Sequence, residues 1–263
     1  ATGRPVACKR SACSRVTRAA MPPLTPRAFT IMTYNVGNGL ARPQALADAL
    51  RACQADIIGL QELTHDQANA LGEAVADLYP YQVLWPAGIP GKGLLSKFPI
   101  AHAEQVEIHP RRPDLVTSLD VGGDRLRVIV AHPPPPRYHP RQGIIHTEHG
   151  GKQFAHLVAI ASSGDPTVLL GDFNMREKNR AYWQLVDAGL TDAFRHVGAQ
   201  GFTFPTRRGR VRLRPILRLD YIWHSSHRTA IDARIGGDAG SDHLPLLADV
   251  LWPQDNVDEG ATK

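Results

Sequence analysis

The first 27 residues of this 263-residue chain contain no aspartate or glutamate. They carry six cations (Arg4, Lys9, Arg10, Arg15, Arg18 and Arg27), and taking these from the chain's 30 Lys and Arg leaves 24 against 25 acidic residues. The basic pI therefore belongs to the leading segment. The near-neutral body lends little support to global steering of nucleic acid. Cysteine is also scarce: Cys8, Cys13 and Cys53 are too few for a disulfide framework. Aromatics are only 6% of residues, too few for an extended nucleic-acid track. No apolar run approaches bilayer-spanning length, so no transmembrane segment is expected. Nor does any stretch read as a membrane-docking loop; Pro86–Pro90 is short and weakly apolar.

What is present is the composition of an ordinary soluble globule, 43% apolar and 21% charged. Residues 1–27 show no periodicity and lack the apolar core of a secretory signal, so they are expected to be a disordered basic tail. They fit a transit-like leader or an upstream remnant, with Met21 as the start. Residues 28–252 show no shift in composition and read as one domain; 253–263 are polar and expected to fray. A monomer is expected. Compartment stays open, and no protein partner can be inferred.

Along the domain, strands are expected at Phe29–Val36, Asp56–Leu60, Tyr81–Trp85, Gly93–Ser96, Val106–His109, Leu115–Val121, Leu126–His132 and Thr167–Leu170. Three more follow at Leu219–Trp223, Thr229–Ile235 and Leu246–Leu251. Helices are expected at Pro43–Cys53, from a Thr64/Gln67 capping box through Leu78, near Gln153–Ser162 and near Tyr182–Ala188. Many strands with few helices argue for two packed sheets with helices outside.

Polar residues recur where these apolar strands end. Thr167–Leu170 runs into Gly171, Asp172, Phe173 and Asn174, and alternation along an extended chain would aim Asp172 and Asn174 the same way. A carboxylate there can orient a water, and a carboxamide can donate to a developing oxyanion. The bland reading is a turn. Asn35 ends TYN before a glycine-rich turn. Glu62 closes IIGLQE, where an unpaired carboxylate is costly unless a cation binds it. Asp220 sits inside RLDYIW, and Asp242-His243 precede the last strand; an acid elsewhere could orient that imidazole. His132 ends a strand ahead of four prolines.

In their fixed order, N…QE…GDFN…DYI…SDH, these residues resemble the endonuclease/exonuclease/phosphatase superfamily, the deoxyribonuclease I-like fold, over about residues 29–251. LLSKFPI also looks like a strand of that family. The resemblance implies an α+β fold, a four-layer α/β/β/α sandwich of two mixed sheets with the site at one sheet edge. It implies hydrolysis of phosphate esters with Mg²⁺, or Mn²⁺ in its place. Glu62 would be the main metal ligand, with Asn35 and Asp242 near the ion. Asp172 would orient or deprotonate water, Asn174 would stabilise the pentacovalent phosphorane, and His243, held by Asp220, would contact the phosphate. His132 would assist the phosphate or leaving group. Hard oxygen ligands suit Mg²⁺, which takes one or two carboxylates and keeps its waters. One departure stands out: several nucleases of the superfamily carry an acid where this chain has Gly37, and Asn38 is a partial substitute.

Substrate is less legible. Arg207, Arg208, Arg210, Arg212, Arg214 and Arg218 crowd one acid-free segment, read as a phosphate-gripping surface or as a solvated, charge-blunted edge strand. The loop 133–150 adds Arg137, His139, Arg141, His146 and His149, a solvated lid more readily than a second metal site. Phe202 and Phe204 suit base stacking or the core. A nuclease acting on DNA or RNA ranks first. A phosphomonoesterase or phospholipid phosphodiesterase, of the sphingomyelinase or inositol-phosphate phosphatase type, ranks second. A non-catalytic scaffold of this fold is a remote third, since it would lack Asp172 or His243.

Overall fold

The computed structural model describes residues 27–135, 137–139, 144–146 and 151–252. In chain order the elements are β1 (Arg27–Asn35), α1 (Pro43–Cys53), β2 (Ile57–Gln61), α2 (His65–Ala74), β3 (Tyr81–Trp85), β4 (Lys92–Ser96), β5 (Ile100–Val106), β6 (Asp114–Val121) and β7 (Asp124–Ala131). Then come β8 (Arg137–His139), β9 (Ile144–His146), α3 (Gly151–Ala161), β10 (Thr167–Asp172), α4 (Arg180–Asp187), β11 (Thr191–Asp192) and α5 (Ala193–His196). The chain closes with β12 (Arg207–Arg208), β13 (Val211–Arg212), β14 (Asp220–His224), β15 (Thr229–Ile235) and β16 (Leu246–Trp252).

Two six-stranded mixed sheets form, ordered β15-β16-β1-β2-β4-β3 and β11-β14-β10-β7-β6-β5. The strands alternate which face they present, and the inner faces bury a shared core that includes Ile31, Ile57, Leu94, Val130, Leu170 and Ile222. The outer face of the first sheet packs Met32, Tyr34 and Leu60 against Leu46 and Leu50 of α1 and Leu71 of α2. The outer face of the second packs Ile129, Leu169 and Trp223 against Leu157 of α3 and Leu185 of α4. Four layers result, helix, sheet, sheet, helix.

Strand direction decides where the site lies. In the first sheet β1 and β2 run parallel, so Asn35 and Gln61 end together, and antiparallel β4 starts beside them with Lys92 opposite Gln61. In the second sheet β7 and β10 run parallel and end at Ala131 and Asp172, while antiparallel β14 starts at Asp220, opposite Asp172. The polar strand ends thus fall along one edge of the sandwich. Gly171 permits this junction: its φ is +150°, and a Cβ there would meet the Ala131 carbonyl oxygen at 1.9 Å.

Some expected elements differ. Of the strand expected at Val106–His109 only Val106 is in a strand, and 107–109 are irregular and bent; the strand is Ile100–Val106, an edge strand whose mostly exposed residues give little apolar signal. α2 stops at Ala74 rather than Leu78, where Arg51 Nε donates to the Ala74 carbonyl at 3.1 Å. The arginine segment is no edge strand of either sheet: β12 and β13 pair only with each other, as a separate hairpin. The segments 1–26 and 253–263, and the side chains of Arg137, His139, Arg141, His146 and His149, lie outside the described residues.

Candidate active site

Asn35, at the end of β1, joins the two sheets. Its Nδ2 donates to Asp172 Oδ2 at 3.0 Å and to Glu62 Oε1 at 3.3 Å. The Gly37 backbone N–H donates to its Oδ1 at 3.0 Å, which fixes the amide's orientation. Asn35 is therefore a donor holding two carboxylates in place. Gly37, where related nucleases carry an acid, has φ +70°, and a Cβ would sit 2.9 Å from Ser241 Oγ. Any side chain there would collide with the turn that carries Asp242 and His243. Asn38 is likewise left-handed, at φ +49°.

Asp172 is the centre of the site. It is buried, and its Oδ2 lies 3.5 Å from His132 Nε2 and 3.6 Å from His243 Nε2. Burial pushes its carboxyl pKa up, against the opposing pull of the His243 charge. His243 Nδ1 lies 2.9 Å from Asp220 Oδ2. Burial works against a charged imidazole there, but Asp220 and then Asp172 outweigh it and push the His243 pKa up to about 10. His132 is the opposite case: burial, reinforced by Lys92 and Arg112, holds it well below its ordinary 6.5. At neutral pH the site holds an imidazolium on one flank and a neutral imidazole on the other.

Asn174 reaches the site differently from the expected alternation. Its φ is +50°, so the chain turns at once after β10, and its own N–H caps Asp172 Oδ1 at 2.9 Å. Its Nδ2 donates to the Pro133 carbonyl at 3.1 Å. Glu62 is also left-handed, at φ +58°, an uncommon conformation for glutamate that costs on the order of 1 kcal/mol or more. The strained turn leaves its side chain about one-fifth exposed in the cleft, while Asp172 is shut in. Burial raises the Glu62 pKa, and nearby Asp242 raises it further.

Acidic groups close enough to share a cation lie here. Asp172, Asp220 and His243 offer ligand atoms all within 4.8 Å of one another. His243 already pairs with both of those carboxylates, at 2.9 Å from Asp220 and 3.6 Å from Asp172. Glu62 is the more open acid, with Asp242 beside it, and offers hard oxygen atoms to the cleft. Three further buried or half-buried charged groups, Lys92, Arg112 and Asp114, stand at this edge beyond those expected from the sequence. Lys92 is fully buried, donates to Pro90 O at 3.0 Å, and is pushed down to about 8 by burial. Arg112 Nη1 lies 2.8 Å from His132 Nε2. Asp114, held by Gln153 Nε2 at 2.7 Å, starts β6 at the same sheet edge. Lys92 and Asp114 are themselves polar residues at the ends of apolar strands, the signal that picks out the others. Arg218 leaves the arginine surface altogether: it is buried, 2.6 Å from Asp192 and 2.7 Å from Glu177.

Arg207, Arg208 and Arg210 belong to the β12–β13 hairpin, whose stem rests on the site. Thr206 N donates to Asp242 O at 2.8 Å, Thr206 Oγ1 to Ser241 O at 2.6 Å, and Arg207 Nη1 to Gly240 O at 2.7 Å. The Phe204 ring lies 4.7 Å from the His243 ring, a hydrophobic wall for the imidazole, whereas Phe202 is exposed.

A profile of the Endonuclease/Exonuclease/phosphatase family matches residues 32–243. The uncharacterized protein YbhP of Escherichia coli (strain K12) is 29% identical, over 88% of this chain and 99% of that protein. Among solved structures, D. rerio TDP2 complexed with a single-strand DNA product superposes with a TM-score of 0.66 at 19% identity, covering 85% of this chain and 98% of that one. Sphingomyelinase C from Streptomyces griseocarneus gives 0.63 at 22%, covering 85% and 99%. At these identities the structures speak to the fold.

Proposed function

Because the chain belongs to the endonuclease/exonuclease/phosphatase family, we propose that it hydrolyses phosphodiesters with an activated water, assisted by one divalent cation. The observation that carries this reading is the convergence on Asp172 Oδ2 of Asn35 at 3.0 Å, His132 at 3.5 Å and His243 at 3.6 Å. A binding scaffold would have no use for a buried carboxylate so surrounded.

Asp172 accepts the proton of the attacking water, and its raised pKa makes it a better base than an exposed aspartate. His243, kept protonated by Asp220, donates to a non-bridging phosphate oxygen as negative charge builds there. Asn174, one of whose carboxamide N–H groups is held by the Pro133 carbonyl, has its second N–H for the developing phosphorane. His132, neutral, accepts from Arg112 Nη1 and so holds that guanidinium beside Asp172 and the leaving oxygen without adding charge of its own. Glu62 and Asp242 would hold Mg²⁺ or Mn²⁺, with Asn35 fixing the Glu62 carboxylate; the ion would neutralise the anionic phosphate and polarise its oxygen.

This machinery reads only the phosphate, so choice between a nucleotide and a lipid headgroup falls to the rim. The hairpin arginines support nucleic acid, the first reading. The aliphatic side chains among them favour a phospholipid. The test is hydrolysis of bis-p-nitrophenyl phosphate. Activity should vanish in EDTA and return with Mg²⁺ or Mn²⁺, and Glu62→Gln should weaken Mg²⁺ binding in calorimetry. Turnover indifferent to chelation would remove the metal from the proposal.

A further inference from the structure

The protein exposes large aliphatic side chains where few would be expected, on both lips of the active-site cleft. On one lip stands the hairpin, with Val211 63% exposed, Leu213 40% and Ile216 65%. On the other are Leu40 and Ile89, 42% and 43% exposed. Leu40 follows the Gly37 turn, whose Cβ position lies 3.0 Å from the Leu40 side chain. Ile89 follows Gly88, whose Cβ position lies 2.7 Å from Asn38 Oδ1. Val211 and Leu213 alternate with Arg212 and Arg214 along β13 and its continuation, where Leu213 N–H still donates to Thr206 O at 2.7 Å, so that stretch places aliphatics and cations on opposite sides. Among the described residues Arg208, Arg210 and Arg214 have no acidic partner, and Arg212 reaches only Asp238, at 3.8 Å.

We propose that this rim docks the protein on an anionic phospholipid bilayer and presents the headgroup phosphodiester to Asp172 and His243. The inference rests on the reading of the site as a phosphodiesterase and names its substrate class. An interface between headgroups and acyl chains satisfies both sides of the strand at once: guanidiniums meet lipid phosphates while aliphatics enter the boundary. Nucleic acid satisfies less of it: sequence-tolerant binding relies on cations and stacked aromatics, for which the hairpin adds only the exposed Phe202, and Val211, Leu213 and Ile216 would stay in water. The geometry joins docking to chemistry. The hairpin stem bonds the backbone of Ser241 and Asp242 and packs Phe204 on the His243 ring, so the catalytic imidazole sits just behind the docking strand. Leu40, Ile89 and the Val211–Ile216 stretch lie far apart in the chain, and arginines interrupt that stretch, which is why no single run of sequence resembles a membrane loop.

The test uses the full chain with vesicles of phosphatidylcholine, with or without phosphatidylglycerol, in a flotation assay. The parent should float with the mixed vesicles and much less with phosphatidylcholine alone. The triple variant Val211→Ser, Leu213→Ser, Ile216→Ser keeps every charge, including those of the leading segment, and should bind mixed vesicles about tenfold more weakly or worse. It should still cleave bis-p-nitrophenyl phosphate at the parent rate. Vesicle binding unchanged in that variant, or a parent that ignores vesicles and binds duplex DNA instead, overturns the proposal; the latter makes the hairpin a nucleic-acid surface. In a Val211→Trp variant, tryptophan emission should shift to the blue on adding mixed vesicles, and no shift would overturn the docking pose even if the triple variant fails to fold. Failure of the soluble diester alone, with vesicle binding intact, would instead sink the phosphodiesterase reading.

Discussion

The two flanks of Asp172 hold the same side chain at nearly the same distance and in opposite states. His243, 3.6 Å away, leans on a second carboxylate at 2.9 Å and stays charged. His132, 3.5 Å away, is crowded by Arg112 and Lys92 and stays neutral. Burial pushes both toward neutrality. The sign of the neighbouring charge decides which one resists it. One carboxylate therefore faces a fixed cation on one side and, on the other, an uncharged imidazole that accepts from Arg112.

The strongest way to break the comparison is to remove the group both imidazoles face. Asp172→Asn should lower kcat on a soluble phosphodiester by about 10⁴-fold while leaving the unfolding midpoint nearly unchanged. Near-normal turnover would rule Asp172 out as the base. Next is Asp220→Asn, which keeps a hydrogen-bond acceptor for His243 Nδ1 but takes away the charge. We expect a loss of roughly 10²-fold. The alkaline limb of the pH–rate profile should also move toward neutrality, because the His243 proton, now held near pH 10, would be released earlier. An unmoved limb would mean His243 does not act as an imidazolium.

How much of this was readable beforehand follows from the same charges. A polar residue closing an apolar strand is visible in one dimension, and Asn35, Glu62, Asp172, Asp220 and His243 are all of that kind. Two parallel pairs and their antiparallel neighbours then carry those ends to one edge. What sequence reading lacks is the state of each group. Nothing local distinguishes His132 from His243; the distinction comes from Lys92 and Arg112 on one side and Asp220 on the other, tens of residues away. Arg218 looks like one more arginine of a basic segment until Asp192 and Glu177 are seen to enclose it. Glu62 and Asn174 read as strand continuations, but both backbones are left-handed. β5 was displaced because an exposed edge strand has no apolar alternation to read.

The two imidazoles should also pull stability in opposite directions, a smaller effect that can be measured in EDTA without turnover. His132 is lowered in the fold, so below its ordinary 6.5 the unfolded chain binds a proton that the folded chain refuses. Stability should fall on acidification through that window. His243 is raised, so its contribution is complete below 6.5 and is lost as pH rises from 6.5 through about 10. Because Asp172, raised in the fold, and Lys92, lowered, titrate across the same ranges with the opposite sign, each limb is read as the difference between parent and variant in denaturant titrations. His132→Asn should flatten the acid limb only, and His243→Asn the alkaline limb only. Both variants flattening the same limb would mean the charge assignments are reversed.

The smallest effect isolates the cations from the burial. Lys92 is completely enclosed, and methionine has a similar length and volume. Lys92→Met should therefore fold, and removing one of the charges that depress His132 should raise the His132 pKa in an NMR titration. It should not reach 6.5, because burial is the larger cause and Arg112 remains. His243 should hardly move, since its state is fixed by Asp220 and Asp172. If Lys92→Met instead shifted both imidazoles equally, the two flanks would share one field, and the contrast between them would owe nothing to their separate neighbours.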